Sequence, residues 1–213
     1  MSAGPELSWQ ELRAARDGVA RRFPSPFRLP LVHRPTDVLY ALLPGARRML
    51  DVGAGDATRR ERVRSRFPAL EYVSVDPDPR AGADHTSLAD VAGPFDVAAL
   101  LEVVEHVPPA TALELVRGVG ALLRPGGSVV VSVPCTHTPG RFERDCTHVT
   151  PWAHDELGAL LEMAGLRVTR IVRTYPGTFV RRLVRRAVLG PIGHAFGLDY
   201  AYSVTAAAVR ATD

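Results

Sequence analysis

Lysine and asparagine are absent from all 213 residues, and cysteine occurs only twice. The 26 residues counted as lysine or arginine are therefore all arginine, a bias that matches GC-rich codon usage. For that reason the net charge of +3 and the sequence pI of about 9.2 are weak evidence for a nucleic-acid partner. No early stretch joins a basic start to an apolar core and a small-residue cleavage site, and no apolar run is long enough to span a bilayer. The default expectation is a cytoplasmic protein with both cysteines reduced. Apolar residues make up 46% and charged residues 23%, ordinary values for one globular domain with a buried sheet.

What is present is an ordered set of apolar runs that end in acid or glycine. Met49-Leu50-Asp51-Val52 runs into Gly53-Ala54-Gly55-Asp56, which reads as a buried strand turning tightly into a helix. Glycines at such a turn permit backbone dihedrals closed to other residues and let a ligand approach bare backbone. Glu71-Tyr72-Val73-Ser74-Val75 ends in Asp76, about twenty residues on, where a doubly wound sheet places a ribose-binding carboxylate. Thr58 stands where the third glycine of a dinucleotide fingerprint would fall, so a nicotinamide site fits poorly.

This pattern resembles motif I of the class I S-adenosylmethionine-dependent methyltransferases. The resemblance continues through Phe95-Asp96-Val97, Leu101-Glu102-Val103-Val104-Glu105-His106-Val107, Leu123-Arg124-Pro125-Gly126-Gly127 and Val129 to Pro134, covering roughly residues 47–172. It implies an α/β fold, a doubly wound seven-stranded mixed sheet with the last strand antiparallel, and S-adenosylmethionine as cofactor. It implies cofactor contacts at Asp51, Gly53, Ala54, Gly55, Asp76, Pro77 and Glu102, with Ser87, Leu88 or Asp90 near the adenine.

Residues 1–45 read as an N-terminal helical segment and 46–213 as the cofactor-binding domain. Ser8 with Glu11 marks a helix start, with Leu12, Val19 and Phe23 on one face. A second helix is expected after Pro35, with Val38, Leu39, Leu42 and Leu43 inward. Asp56 to Arg66 should be a crossover helix with arginines mostly in water, and a short third strand is expected near His85 to Leu88. Pro109 to Leu123 carries a helical apolar stripe, Thr150-Pro151 opens a further helix, and strands are expected at 96–101, 129–133, 168–172 and 202–209. Thr178 to Leu189 alternates apolar and arginine stripes, a basic amphipathic insertion spanning about 177–197 that packs on its domain, lies on a membrane surface or receives an acidic substrate.

Methyl transfer is an in-line displacement that mainly needs positioning, with a base only where the acceptor must lose a proton. His106, His137 and His148 could each serve as the base, with His148 and His106 the ones singled out, and Arg141 and Arg144 are available to an anionic acceptor. Glu102, Glu105, His106 and His148 also resemble the metal set of small-RNA 3′-end 2′-O-methyltransferases, and the first three that of metal-dependent ubiquinone-biosynthesis enzymes. Cys135-Thr136-His137 and Cys146-Thr147-His148 repeat one tripeptide without the usual zinc spacing. The reading is methyl transfer to oxygen or nitrogen of a small-molecule acceptor. The alternatives are a divalent-metal-assisted RNA enzyme and a catalytically silent cofactor-binding protein, and oligomeric state stays open.

Overall fold

Ser8 opens the first helix as its position predicts, its hydroxyl accepting the Glu11 N–H at 3.4 Å. In this computed structural model residues 8–178, 193 and 195–212 are described. In chain order the elements are α1 (Trp9–Arg22), a two-residue strand β1 (Leu31–Val32), α2 (Pro35–Leu42), β2 (Arg48–Val52), α3 (Thr58–Arg66), β3 (Glu71–Val75) and β4 (Phe95–Leu101). They continue with α4 (Pro109–Leu122), β5 (Leu123–Pro134), α5 (His154–Met163), β6 (Leu166–Thr174) and β7 (Ser203–Arg210). The basic helix expected from Thr178 lies, apart from its first residue, outside the described residues.

The seven strands lie in the order β1-β6-β7-β5-β4-β2-β3. All neighbours are parallel except β7, which runs antiparallel between β5 and β6. This is the expected doubly wound mixed sheet. Alternation along β2 sends Leu50 and Val52 into one core, with Val116, Leu157 and Leu160 from α4 and α5. Met49 faces the other core, with Val38 and Leu39 of α2 and Val63 of α3. On the first face α1 lies against α5, where a Cβ on Gly158 would come within 2.6 Å of Val19.

The count of seven holds, but one member differs from expectation. No strand forms at 85–88; only His85 bridges Val75. The reason is a side chain: the Asp84 carboxylate takes the Ser74 N–H at 2.9 Å and its hydroxyl at 2.7 Å, so the backbone there is satisfied without a ladder. His85 completes that edge, its N–H donating to Ser74 O at 3.0 Å and its O accepting from Asp76 N at 3.1 Å. The seventh strand is instead β1, inside the segment read as helical, paired with Arg173 and Thr174 of β6. Two residues carry no periodicity, which is why the pattern missed it.

Three boundaries also move. Asp56 accepts the Thr58 N–H at 3.0 Å, so α3 starts two residues later than expected. At Leu123 α4 passes directly into β5, and Pro125-Gly126-Gly127 lies inside that strand beside a register shift at Phe95/Val97. Thr150 does not cap α5; its hydroxyl donates to Val107 O at 2.7 Å, and the helix is opened by the Glu156 carboxylate accepting the Ala153 N–H at 3.1 Å.

Candidate active site

The tips of β2 and β3 are stitched together by backbone. Gly53 N–H and Ala54 N–H both donate to Val75 O, at 2.8 and 3.2 Å. Gly55 N–H donates to Asp76 Oδ2 at 2.8 Å, and Asp78 N–H to Asp76 Oδ1 at 2.9 Å. The two glycines do different jobs. A Cβ on Gly55, with φ of +58°, would meet nothing within 4 Å, so its backbone lies open to a ligand. A Cβ on Gly53, with φ of +67°, would come within 2.5 Å of Val103.

Gly53→Ala is therefore expected to destabilise the fold by about 2 kcal/mol, from the left-handed backbone plus the collision. Shortening the neighbour in Gly53→Ala/Val103→Ala should relieve the collision but not the backbone cost. Urea unfolding of the two variants separates the components.

Asp51 shares the α3-facing side of the sheet with Tyr72 and Ser74, by the register Met49↔Tyr72 and Asp51↔Ser74. Its carboxylate is fully buried, and both oxygens are taken inside the protein: Arg59 donates to Oδ1 at 2.5 Å, and the Tyr72 hydroxyl donates to Oδ2. Burial pushes the Asp51 carboxyl up, against the pull of Arg59 and Tyr72. The Tyr72 hydroxyl is raised, first by burial and then by Asp51. Arg60 reaches Ser74 and also pairs with Asp84 at 3.2 Å, so two of the arginines expected in water fold back onto the sheet. Arg62, Arg64 and Arg66 stay exposed, as expected. The helix pattern around Val63 hid this, although a carboxylate at a buried strand end demands a counter-charge.

Glu102, at the tip of β4, has φ of +59°, the only positive value for a non-glycine among the described residues. That backbone costs about 1–2 kcal/mol and is the kind of strain held at functional sites. Its carboxylate accepts the Ser132 hydroxyl at 2.7 Å and is also bonded by Ser203; burial raises it above the usual carboxylate range despite those bonds. Glu102 lines a cavity of about 450 Å³ at the carboxyl ends of the strands, walled by Ser132 of β5, Ser203 of β7, Thr174 of β6 and Arg34 beside α2. That volume suits a small molecule. Sequence reasoning missed Arg34, Ser132, Ser203 and Tyr202, because the sheet order that unites them is not local. Ser87, by contrast, caps its own turn, accepting the Ala89 N–H at 3.2 Å. Ala54 is buried behind the cradle and Pro77 is exposed beyond it.

A second cluster lies just past β4. Ligand atoms of Glu105, His106 and His148 fall within 4.8 Å of one another. Glu102 is not among them. The Thr147 hydroxyl donates to Asp145 Oδ1 at 2.6 Å, so its 2.9 Å contact with His106 requires the proton on His106 Nδ1. His148 Nδ1 lies 2.6 Å from Phe142 O, which can only accept. In the neutral tautomer that these contacts select, the lone pair of each imidazole is on Nε2. Both carboxylate oxygens of Glu105 are buried with no hydrogen-bond partner, and burial, then Glu102, push this carboxyl up to about 8. The repeated tripeptides do not converge: Cys135 is buried beside Asp199, and Cys146 is exposed.

Glu105 also sets a pH dependence. Between its ordinary value of 4.5 and about 8 the folded state holds a proton that the unfolded state has lost, so stability falls as pH rises through that window. In chelator-treated protein, Glu105→Gln is expected to flatten this fall. Equal Tm losses from pH 5 to pH 8 in parent and variant would show that Glu105 is not the cause.

A family profile described as a methyltransferase domain matches residues 10–171, and the chain belongs to that family. An uncharacterized methyltransferase of Mycobacterium sp. (strain JLS) is 38% identical over 122 residues, 49% of this chain and 46% of that protein. A ubiquinone biosynthesis O-methyltransferase of Xanthomonas axonopodis pv. citri (strain 306) is 30% identical over 118 residues, 47% of this chain and 48% of that protein. The chain spans about half the length of the curated relatives it matches. A solved S-adenosylmethionine-dependent methyltransferase from Archaeoglobus fulgidus superposes with a TM-score of 0.67 at 18% identity, over 94% of this chain and 97% of that one. The sheet is thus that of the class I, Rossmann-like methyltransferases. No helix among the described residues is long and apolar enough to cross a membrane.

Proposed function

We propose that this protein transfers a methyl group from S-adenosylmethionine to oxygen or nitrogen of a small-molecule acceptor. The observation that carries this is the open Gly55 backbone joined to the Asp76 carboxylate at adjoining strand tips, next to a cavity of ligand size. Bound there, S-adenosylmethionine supplies an electrophilic methyl on a sulfonium. Asp76 keeps lone pairs for a ribose diol, and Arg59, held by Asp51, closes the cavity side of the cradle. Glu102 presents a carboxylate at the boundary between cradle and cavity; His148 and His106 are not among the described residues lining that cavity, so either takes a proton only from an acceptor long enough to reach past Glu102.

Saturating S-adenosylhomocysteine, at about 100 times its Kd, should raise Tm by about 5–10 °C, with no shift from NADH. Screening acceptors for S-adenosylhomocysteine release then reads turnover. The absence of any binding would sink the proposal, and binding without turnover across acceptor classes would mark a silent binding protein.

A second reading is favoured by one observation, the unpartnered Glu105 carboxylate gathered within 4.8 Å of ring nitrogens of His106 and His148. One oxygen and two nitrogens fit a divalent ion. Glu105, His106 and His148 would hold it, and it would lower the pKa of an acceptor hydroxyl. Loss of turnover on chelation, restored by metal, supports this. Label transfer to RNA with a free 3′ diol, but not to RNA blocked there, would identify an RNA enzyme.

A further inference from the structure

We infer that the methyl acceptor carries an acidic group, a carboxylate or phosphate, held by Arg34, Arg62 and Arg141 at the cavity beside Glu102. This rests on the methyl-transfer reading above.

The charge balance of the lining argues for it. Four arginines line the cavity, against a single acidic residue, Glu102. Arg59 is already committed to Asp51, but Arg34, Arg62 and Arg141 enter no ion pair among the described residues. They come from three separate segments: the entry to α2, the middle of α3 and the loop after β5. Like charges around one cavity repel, and an anion bound there reduces that repulsion. The excess stays positive even with Glu102 ionised.

Arg141 is also held in place beforehand. Its guanidinium lies over the Tyr202 ring at 4.1 Å from the centroid, and its Nε donates to Tyr202 O at 3.4 Å. That contact uses Nε, and among the described residues the two terminal nitrogens make no hydrogen bond, which suits the fork that takes a carboxylate or phosphate through two bonds.

The donor's own carboxylate is the other possible source of negative charge, and position argues against it. The cradle sits on β2 and β3; Arg59 and Arg62 of α3 form the near end of the cavity, whereas Thr174, Ser132 and Ser203 carry its far end over β6, β5 and β7, beyond β4. Glu102 stands between them. Donor and acceptor would meet at this residue.

The test is calorimetry on protein saturated with S-adenosylhomocysteine, titrated with benzoate, inorganic phosphate and neutral benzamide. Benzoate or phosphate should bind at least about 10-fold more tightly than benzamide, as expected for charge-assisted bonds. Arg141→Gln and Arg34→Gln should weaken the anion at least about 10-fold and leave S-adenosylhomocysteine affinity within about 2-fold. Arg62→Gln, at an exposed position, supplies the same readout should either of the others fail to fold. Equal binding of benzoate and benzamide overturns the inference. So does a loss of S-adenosylhomocysteine affinity in the arginine variants, which would assign these groups to the donor's carboxylate. If the parent takes up no S-adenosylhomocysteine, the methyl-transfer reading fails separately, and the same titrations on unloaded protein still decide whether the cavity selects anions.

Discussion

Asp76→Ala is expected to weaken S-adenosylhomocysteine binding at least about 100-fold, with little change in fold stability. Both Asp76 oxygens already accept a backbone N–H, from Gly55 and from Asp78, and each keeps a further acceptor position. Two ribose hydroxyls donating to an ionised carboxylate contribute about 1.5–3 kcal/mol apiece, and about 2.7 kcal/mol is already 100-fold. The alanine also releases Gly55, so the backbone that should face the ligand loses its anchor. Asp76→Asn refines the point. An amide can accept one of the two N–H groups, but its NH₂ then faces the other donor, so the turn itself should loosen and affinity should drop nearly as far. Calorimetric titration of both variants, beside a melting curve to confirm folding, settles it. A parent-like Kd in the alanine variant would remove Asp76 from the cofactor site.

Asp199→Ala should cost about 3–5 kcal/mol of stability, lowering Tm by roughly 6–20 °C for a chain of this size. Arg173 and Asp199 are both buried, at 9% and 8% exposure, and join through two contacts of 2.9 Å. The same guanidinium donates to Phe27 O at 2.9 Å and to Leu29 O at 3.3 Å, while Asp199 accepts the Tyr200 N–H at 2.7 Å. One ion pair thus ties the loop before β1 to the segment entering β7. Removing the acid leaves a buried cation uncompensated, which is worse than removing both charges. Arg173→Leu/Asp199→Ala should accordingly recover most of the loss. Denaturant unfolding of the single and double variants measures the difference, and a loss under about 1 kcal/mol for Asp199→Ala would mean that water reaches Arg173.

Neither residue was singled out by sequence, and the reason is instructive. Arg173 falls just past the strand expected at 168–172, one of three arginines along Leu166–Thr174, and Asp199 lies in a stretch without periodicity 26 positions on. What was legible was local: strand runs that end at glycine or acid, apolar stripes such as Val116 and Val119, and the cap at Ser8. The cradle at Gly53, Gly55 and Asp76 could be located because its parts belong to one strand-helix-strand unit. The cavity could not, since it needs Arg34, Glu102, Arg141 and Ser203 from four distant segments. The strand expected at 85–88 failed for a different reason. A single side chain, Asp84, supplies what a neighbouring strand would have offered, and periodicity does not report that kind of substitution.

That carboxylate has a bearing on behaviour in concentrated solution. A terminal strand with open amides invites a second molecule to continue the sheet, the first step toward intermolecular stacking. By occupying the Ser74 amide, Asp84 denies an incoming chain one of the docking points it would need on β3. Asp84→Ala should therefore show its defect first as concentration-dependent light scattering, before any change in the cofactor cradle.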